Sequence, residues 1–441
     1  MTAPRNADII SPDTYVEGVP LKRLAELRLA GAVAWVDEPP VDHWPAGTGF
    51  WAVLRHAEVE HVLRHPQIFS SGAGLTQVYD APEPVRVALR RMMINMDPPE
   101  HSRLRSLVTK AFTPRAVARL EARITARARQ LVAAAADRPE VDFAREVAAD
   151  LPLTTLAEVL GVPESDRWLM FDWSNRVIGL LDAEYAVSDA FDVTGATPMA
   201  RRALAVRPQP DANGRMPDSR RPNGMADLYA YARELAAYRR TEPGEDIMSL
   251  LVQQADTEDG RITVAEFEQL FWLFSVAGNE TVRNALPGAL LTLIEHPEVY
   301  AKLRADRSLL PGAVEELLRW WTPVIQFRRT AVRDTELDGT SIRAGEKVVV
   351  FFSSANRDDR VFADPDTFDI TRSPNPHLSF GHGPHFCVAA HLARVQVRTM
   401  VEAVLDRFAT IESAGPPVRL RSNFQNGIKH LPIRWRSDVV R

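Results

Sequence analysis

Cysteine is nearly absent: the 441 residues hold one, Cys387. No internal disulfide framework is possible, and a reducing cytosol fits that usage. No stretch approaches the roughly 20 apolar residues of a membrane span. The N-terminus, Met1-Thr2-Ala3-Pro4-Arg5, lacks an apolar signal core. A cytoplasmic protein without a membrane anchor is expected. Positive charge is not in excess either. A formal net charge of -5 leaves no bulk electrostatic case for nucleic acid. No internal repeat is apparent. What is present, 45% hydrophobic and 25% charged residues, is ordinary for a soluble globular chain.

The lone cysteine lies in Phe380-Gly381-His382-Gly383-Pro384-His385-Phe386-Cys387. Two glycines and a proline before it are loop chemistry, letting the backbone approach a flat ligand and turn N–H groups toward a sulfur. The run Val388 to Arg398 that follows is strongly helix-forming. Cys387 therefore reads as an anionic thiolate favoured by a helix N-terminus, and as a ligand of haem iron. Other readings compete. A lone cysteine is often an inert core residue. His382, His385 and Cys387 have metal-like spacing, but structural zinc takes about four ligands, usually in two close pairs. A Cys–His nucleophile usually draws its histidine from a distant part of the chain.

Upstream, Leu21–Arg28 and His56–Leu63 read as helices, and Val33–Val36 and Phe50–Leu54 as strands around the loop at 45–47. Residues 71–95 lack a steady period and read mostly as a mobile loop. Asp97-Pro98 starts a helix that carries His101 and Arg105 four apart, on one face. Two cations so placed suit a pair of carboxylates, or are merely a solvated face. Helices are expected over 115–136, from Val141 to Leu160, from Trp168 to Leu181 and from Met225 to Arg240. Between them, 182–224 mixes Arg201, Arg202, Arg207, Arg215, Arg220 and Arg221 with five prolines. A structureless segment of that length is usually functional or disordered.

Thr263-Val264-Ala265-Glu266 is a capping box opening the longest periodic helix. At its centre, Ala277-Gly278-Asn279-Glu280-Thr281 sets a glycine, an acid and an alcohol in apolar surroundings. That is costly for packing alone, because buried polar groups need partners. Gly278 would leave room for a diatomic ligand, Thr281 would hydrogen-bond to dioxygen, and Glu280 would relay protons through water. A core helix kinked at Pro287 is the plainer alternative. Further on, Glu316 and Arg319 stand at i, i+3, by default an ordinary exposed pair. Val348–Phe352 reads as a strand, and 419–430 as a hairpin turning at Asn426-Gly427.

Phe380-Gly381-x-Gly383-x-His385-x-Cys387 resembles the haem-binding loop of the cytochrome P450 family, with Ala389 where many members carry glycine. The resemblance extends, in order, from about residue 50 to the end. It implies one domain over 1–441, a mainly α (α+β) fold with a smaller β-rich lobe, and haem b between the long central helix and the cysteine loop. Cys387 would be the axial ligand of the iron, framed by Phe380, Gly381 and Gly383. His101, Arg105, Arg329 and His385 would hold haem propionates. Gly278, Glu280 and Thr281 would form the oxygen-activation motif. Glu316, Arg319 and Arg372 would support the proximal side of the haem. Leu273, Val276, Ala277, Val324, Ile325 and Phe424 would line the substrate pocket, with 182–224 as its lid.

The implied reaction inserts one atom of dioxygen into an unactivated C–H bond. This length holds no flavin or nicotinamide domain, so electrons would come from a ferredoxin and its reductase, docking near Arg103, Lys110 and Arg394. The expected protein is a monomer, similar to the bacterial branch that oxidises sterol side chains, methyl-branched lipids and terpenoids. A peroxide-driven peroxygenase, or a haem-binding sensor or carrier without turnover, is the alternative. The intact Glu280–Thr281 pair argues against both.

Overall fold

The computed structural model describes residues 4–42, 44–186, 193–212, 216–255 and 262–437. It is 55% helical with small sheets, so the mainly helical expectation holds. Among the described residues, no helix is long and apolar enough to cross a membrane. The chain forms two compact units: 1–80 with 120–151 and 281–441, and 81–119 with 152–280.

The first unit holds the sheets. Its largest has five strands in the order Val33–Val36, Phe50–Val53, Lys347–Phe351, Gln326–Ala331, Phe69–Ser70. Lys347–Phe351 is buried along its whole length, as a strand sandwiched on both faces must be. Its one charge, on Lys347, meets Glu38 at 2.6 Å and Asp80 at 2.7 Å. A buried ammonium without such partners would be strongly destabilising. Trp35 stands opposite Trp51 in register, with ring centroids 5.0 Å apart, edge to face.

A three-stranded sheet joins Glu140–Asp142, Pro432–Ser437 and Phe408–Ser413. Here the structure departs from expectation. Val141 pairs with Ile433 as a strand, a π-helical stretch follows over Ala144–Ala148, and the α-helix runs from Asp150 to Leu160. Pairing with a distant strand overrides local helical spacing. The C-terminal hairpin also differs in detail. Val418–Arg419 pairs with Ile428–His430, but the loop between them is long, and Asn426 N donates to Pro323 O at 2.9 Å. Asn426-Gly427 is thus a docking point and not a two-residue turn.

In the second unit, Thr263 and Glu266 close the capping box: Thr263 N donates to Glu266 Oε2 at 2.8 Å, and Glu266 N to Thr263 Oγ1 at 3.2 Å. The helix Val264–Glu295 starts there and is continuous through Pro287. Its Phe271 packs with Trp173 and Tyr231. Within 71–95, Glu83–Leu89 is a helix, too short to show a period in sequence.

Residues 182–224 are tethered where described; Arg215 and 187–192 lie outside the described residues. Thr197 caps the helix Pro198–Leu204. Arg202 grips Glu234 through two bonds, at 2.8 and 2.6 Å. Arg207 makes a fork to the fully buried Asp172 at 3.1 and 2.8 Å. The arginines that made this stretch look unstructured are the groups that fasten it.

Candidate active site

Cys387 lies one turn before the helix Ala390–Arg407, not inside it. Its N–H donates to Phe380 O at 2.9 Å, closing the loop, and its carbonyl accepts from Ala390 N at 3.3 Å. Gly381 and Gly383 take φ of +70° and +68°, the left-handed region that favours glycine. At Gly383 the demand is also steric, because a Cβ would lie 2.4 Å from Leu63 O. The loop is seated on the last turn of the helix His56–Arg64.

His385 Nε2 lies 3.3 Å from Ser71 Oγ. Among the described residues, no group of three or more His, Cys, Asp or Glu is placed to hold a metal ion, so the zinc reading of His382, His385 and Cys387 has no geometric basis. A single thiol in a glycine-opened loop does fit the axial donor of a haem. Arg329, only 4% exposed on the strand Gln326–Ala331, is a buried cation suited to a carboxylate; its Nη1 donates to Arg328 O at 2.8 Å.

Behind this loop, Glu316 and Arg319 form a fully buried fork, two bonds of 2.7 Å each. The exposed default is therefore overturned. Arg319 also donates to Asn356 O at 2.8 Å and Pro365 O at 2.9 Å. Arg372 Nε lies 3.3 Å from Glu316 Oε2, so the expected third member does join the pair. Asn375 Nδ2, at 3.0 Å from the same carboxylate, was not foreseen; nothing in its local sequence marks it. Nearby, Glu315 accepts from Arg394 at 2.6 and 2.8 Å and meets His377 at 3.1 Å. Burial alone would raise its pKa, but the bonds from His377 and Arg394 hold it at about 2. Arg394 also lies over the Phe380 ring, 4.4 Å from its centroid.

The long helix has one open strip. From Leu270 to Leu293 every residue is buried except Ala277, which is exposed, and Gly278 and Thr281, which are half-buried. Gly278 serves packing more than ligand space: a Cβ there would lie 2.7 Å from Leu156 Cδ1. Ala277, one residue earlier, is the exposed residue of this turn. Glu280 is fully buried. Ser174 Oγ donates to its Oε2 at 3.0 Å, and Tyr185 OH donates to its Oε1. Neither partner could be read from sequence, because both lie about a hundred residues away.

His101 is buried and Arg105 half-buried on the helix Glu100–Thr109. In the first unit, Val324 forms a bridge with Gln425, and Ile325 N donates to Phe424 O at 2.9 Å. Val324 and Phe424 are half-buried, whereas Ile325 is fully buried and offers no surface to a ligand. Phe327 is a better candidate than Ile325. It is half-buried, and its ring lies 5.3 Å from that of Phe424. Alternation along the strand from Ile325 is the signal that could have found it. Leu273 and Val276 are buried on the long helix. Arg103 and Arg394, expected to dock a redox partner, already carry carboxylate partners, Glu266 and Glu315.

A family model described as Cytochrome P450 matches residues 227–432. A Mycobacterium tuberculosis protein named steroid C26-monooxygenase is 37% identical over 446 residues, covering 99% of this chain and 93% of the relative. A methyl-branched lipid omega-hydroxylase of Mycobacterium bovis is 38% identical, covering 90% of this chain and 89% of the relative. Among solved structures, a Mycobacterium marinum cytochrome P450 in complex with pseudoionone superposes with a TM-score of 0.82 at 36% identity, covering 98% of this chain and 99% of that one.

Proposed function

This chain belongs to the cytochrome P450 family and is a monooxygenase carrying haem b, and from that premise we propose that it hydroxylates a steroid, a terpenoid or a methyl-branched lipid. The reaction takes dioxygen and electrons from redox partners. The observation that carries the reading is the open strip of the long helix. Ala277 and Thr281 are accessible along an otherwise buried face, directly beside the buried acid Glu280.

Haem, when bound, supplies the activation of dioxygen that allows attack on an unactivated C–H bond. The chain's residues do the rest. Cys387 would hold the iron through its thiolate, a donor of the kind that favours O–O cleavage. Arg329 and His385 are the cations of the first unit that would hold haem propionates; His101 and Arg105 are the candidates on the helix Glu100–Thr109. Thr281 offers a hydroxyl proton, and Glu280, oriented by Ser174 and Tyr185, passes protons to it through water. Glu316, Arg319 and Arg372 hold the backbone that leads into the cysteine loop. Val324, Phe327 and Phe424 form an apolar group in the first unit, and Leu273, Val276 and Ala277 are the apolar candidates on the long helix.

The electron donor on this reading is a ferredoxin served by its reductase. Lys110, exposed, is the cation best placed to steer it, since Arg103 and Arg394 are paired. The protein acts as a monomer and a single domain in the cytosol, where a reducing environment suits its single cysteine.

A panel of steroids, branched lipids and terpenoids tests the substrate class. Low-micromolar binding spectra with these ligands are expected, against roughly millimolar or weaker affinity for small polar aromatics, a gap of about 4 kcal/mol. The reverse preference would remove the proposal. The proton path has its own test. Thr281→Ala and Glu280→Gln are expected to lower product formed per dioxygen consumed by about 10²-fold or more, the usual worth of a placed acid–base group. Unchanged coupling in both variants would mean that protons arrive by another route.

A further inference from the structure

His382, between the two glycines of the cysteine loop, has no place in the chemistry above. Its backbone is extended, at φ -150° and ψ 166°, and its ring is turned onto the helix His56–Arg64. Arg64 Nε donates to His382 Nε2 at 2.6 Å. His382 Nδ1 stands 3.4 Å from Glu60 Oε1, and Glu60 in turn lies 3.7 Å from Arg64 Nη2. One residue on, Gly383 presses against the carbonyl of Leu63. The loop thus meets the end of this helix twice, once through backbone contact and once through a side-chain hydrogen bond.

We propose that Arg64, with Glu60, is a positioning device for the thiolate: it grips His382 and so sets where the loop presents Cys387. The inference rests on the reading of Cys387 as the haem ligand. An Arg side chain can only donate, so the bond requires the unprotonated Nε2 of His382 as acceptor. Burial, together with the positive charges of Arg64 and His56, pushes the His382 pKa below its ordinary value, against the opposing pull of Glu60. The neutral ring that the grip needs is therefore the form the surroundings favour.

Location separates this role from a general stabilising one. Arg64 is 57% exposed, and exposed polar pairs contribute little to global stability. Loss of the grip should leave the Tm near that of the wild type and act on the loop alone. A loop held by one contact instead of two samples more positions, and the sulfur moves with it.

The experiment is hydrogen exchange of the haem-loaded protein over 380–387, paired with the lifetime of the red-shifted Soret band of the reduced, carbon monoxide-bound form. Arg64→Leu and His382→Phe are each expected to speed loop exchange and decay of that band by about five- to tenfold, the worth of one hydrogen bond. The double variant should be no faster than either single variant, since both remove the same bond. His382→Gln, whose amide oxygen can accept from Arg64, should stay within about twofold of wild type, as the rescue of that one bond. Wild-type rates in both single variants, or a glutamine variant as defective as the phenylalanine one, would overturn the grip. If the wild type shows no red-shifted band while loop exchange still responds to Arg64→Leu, it is the thiolate reading that fails.

Discussion

Replacing Cys387 by alanine is expected to abolish the red-shifted Soret band of the reduced, carbon monoxide-bound protein and to remove turnover. The expected loss exceeds the about 10–100-fold that removal of an outer-shell partner of a metal ligand costs, because the donor itself is gone. Alanine is smaller than cysteine and makes the same backbone bonds. The closure of the loop by Cys387 N on Phe380 O, the seat of Gly383 on Leu63 and the left-handed glycines all survive the change. The variant therefore isolates the sulfur from the fold. Haem content and the carbon monoxide spectrum, measured on the same preparation, check it. A variant that keeps the band would show that the iron takes its ligand elsewhere, and the roles assigned around the loop would go with it.

The second large effect is on stability. Arg319→Leu takes the two-bond partner from the fully buried carboxylate of Glu316, leaving it Arg372 at 3.3 Å and the bonds from Asn375 and Asp369 N at 3.0 Å each. It also leaves the carbonyls of Asn356 and Pro365 without their donor. Breaking one side of a buried pair costs about 3–5 kcal/mol. Against a total stability of about 5–15 kcal/mol, that is enough to prevent accumulation of folded, haem-loaded protein. Arg319→Lys keeps the charge but loses the planar fork, and should fall between the two. The contrast is Arg23 with Glu26, also three apart on a helix but with side chains 35% and 51% exposed. Glu26→Ala should cost only about 0–1 kcal/mol. Thermal or urea unfolding compares the variants, and an Arg319→Leu protein as stable as Glu26→Ala would refute the argument.

These two pairs show where sequence reading stops. Both are i, i+3 pairs on a helix, and spacing alone makes the two alike. Burial separates them, and burial depends on what the rest of the chain lays over the helix. The same limit applies to Gly278. A glycine beside an acid and an alcohol suggested open space; the tip of Leu156 lies close to it, and the most exposed residue of this turn is Ala277. At 182–224, prolines and unpaired-looking arginines read as unstructured, because their carboxylates, Asp172 and Glu234, sit on other helices.

What the sequence determined by itself was local or strictly spaced. The thiol loop with its two glycines, the capping box that starts the long helix, the acid–alcohol pair and the His101–Arg105 face all depend on neighbours a few residues apart. Their geometry follows from backbone sterics and helical pitch. What only the tertiary structure decided was long-range. Glu280 takes its donors from Ser174 and Tyr185, the Glu316–Arg319 fork is sealed from water by the segment 356–375, and the cysteine loop is held by Arg64, 318 residues before His382. Such pairings arise when distant elements bury a common polar group that must find a partner, and no short stretch of sequence carries that requirement.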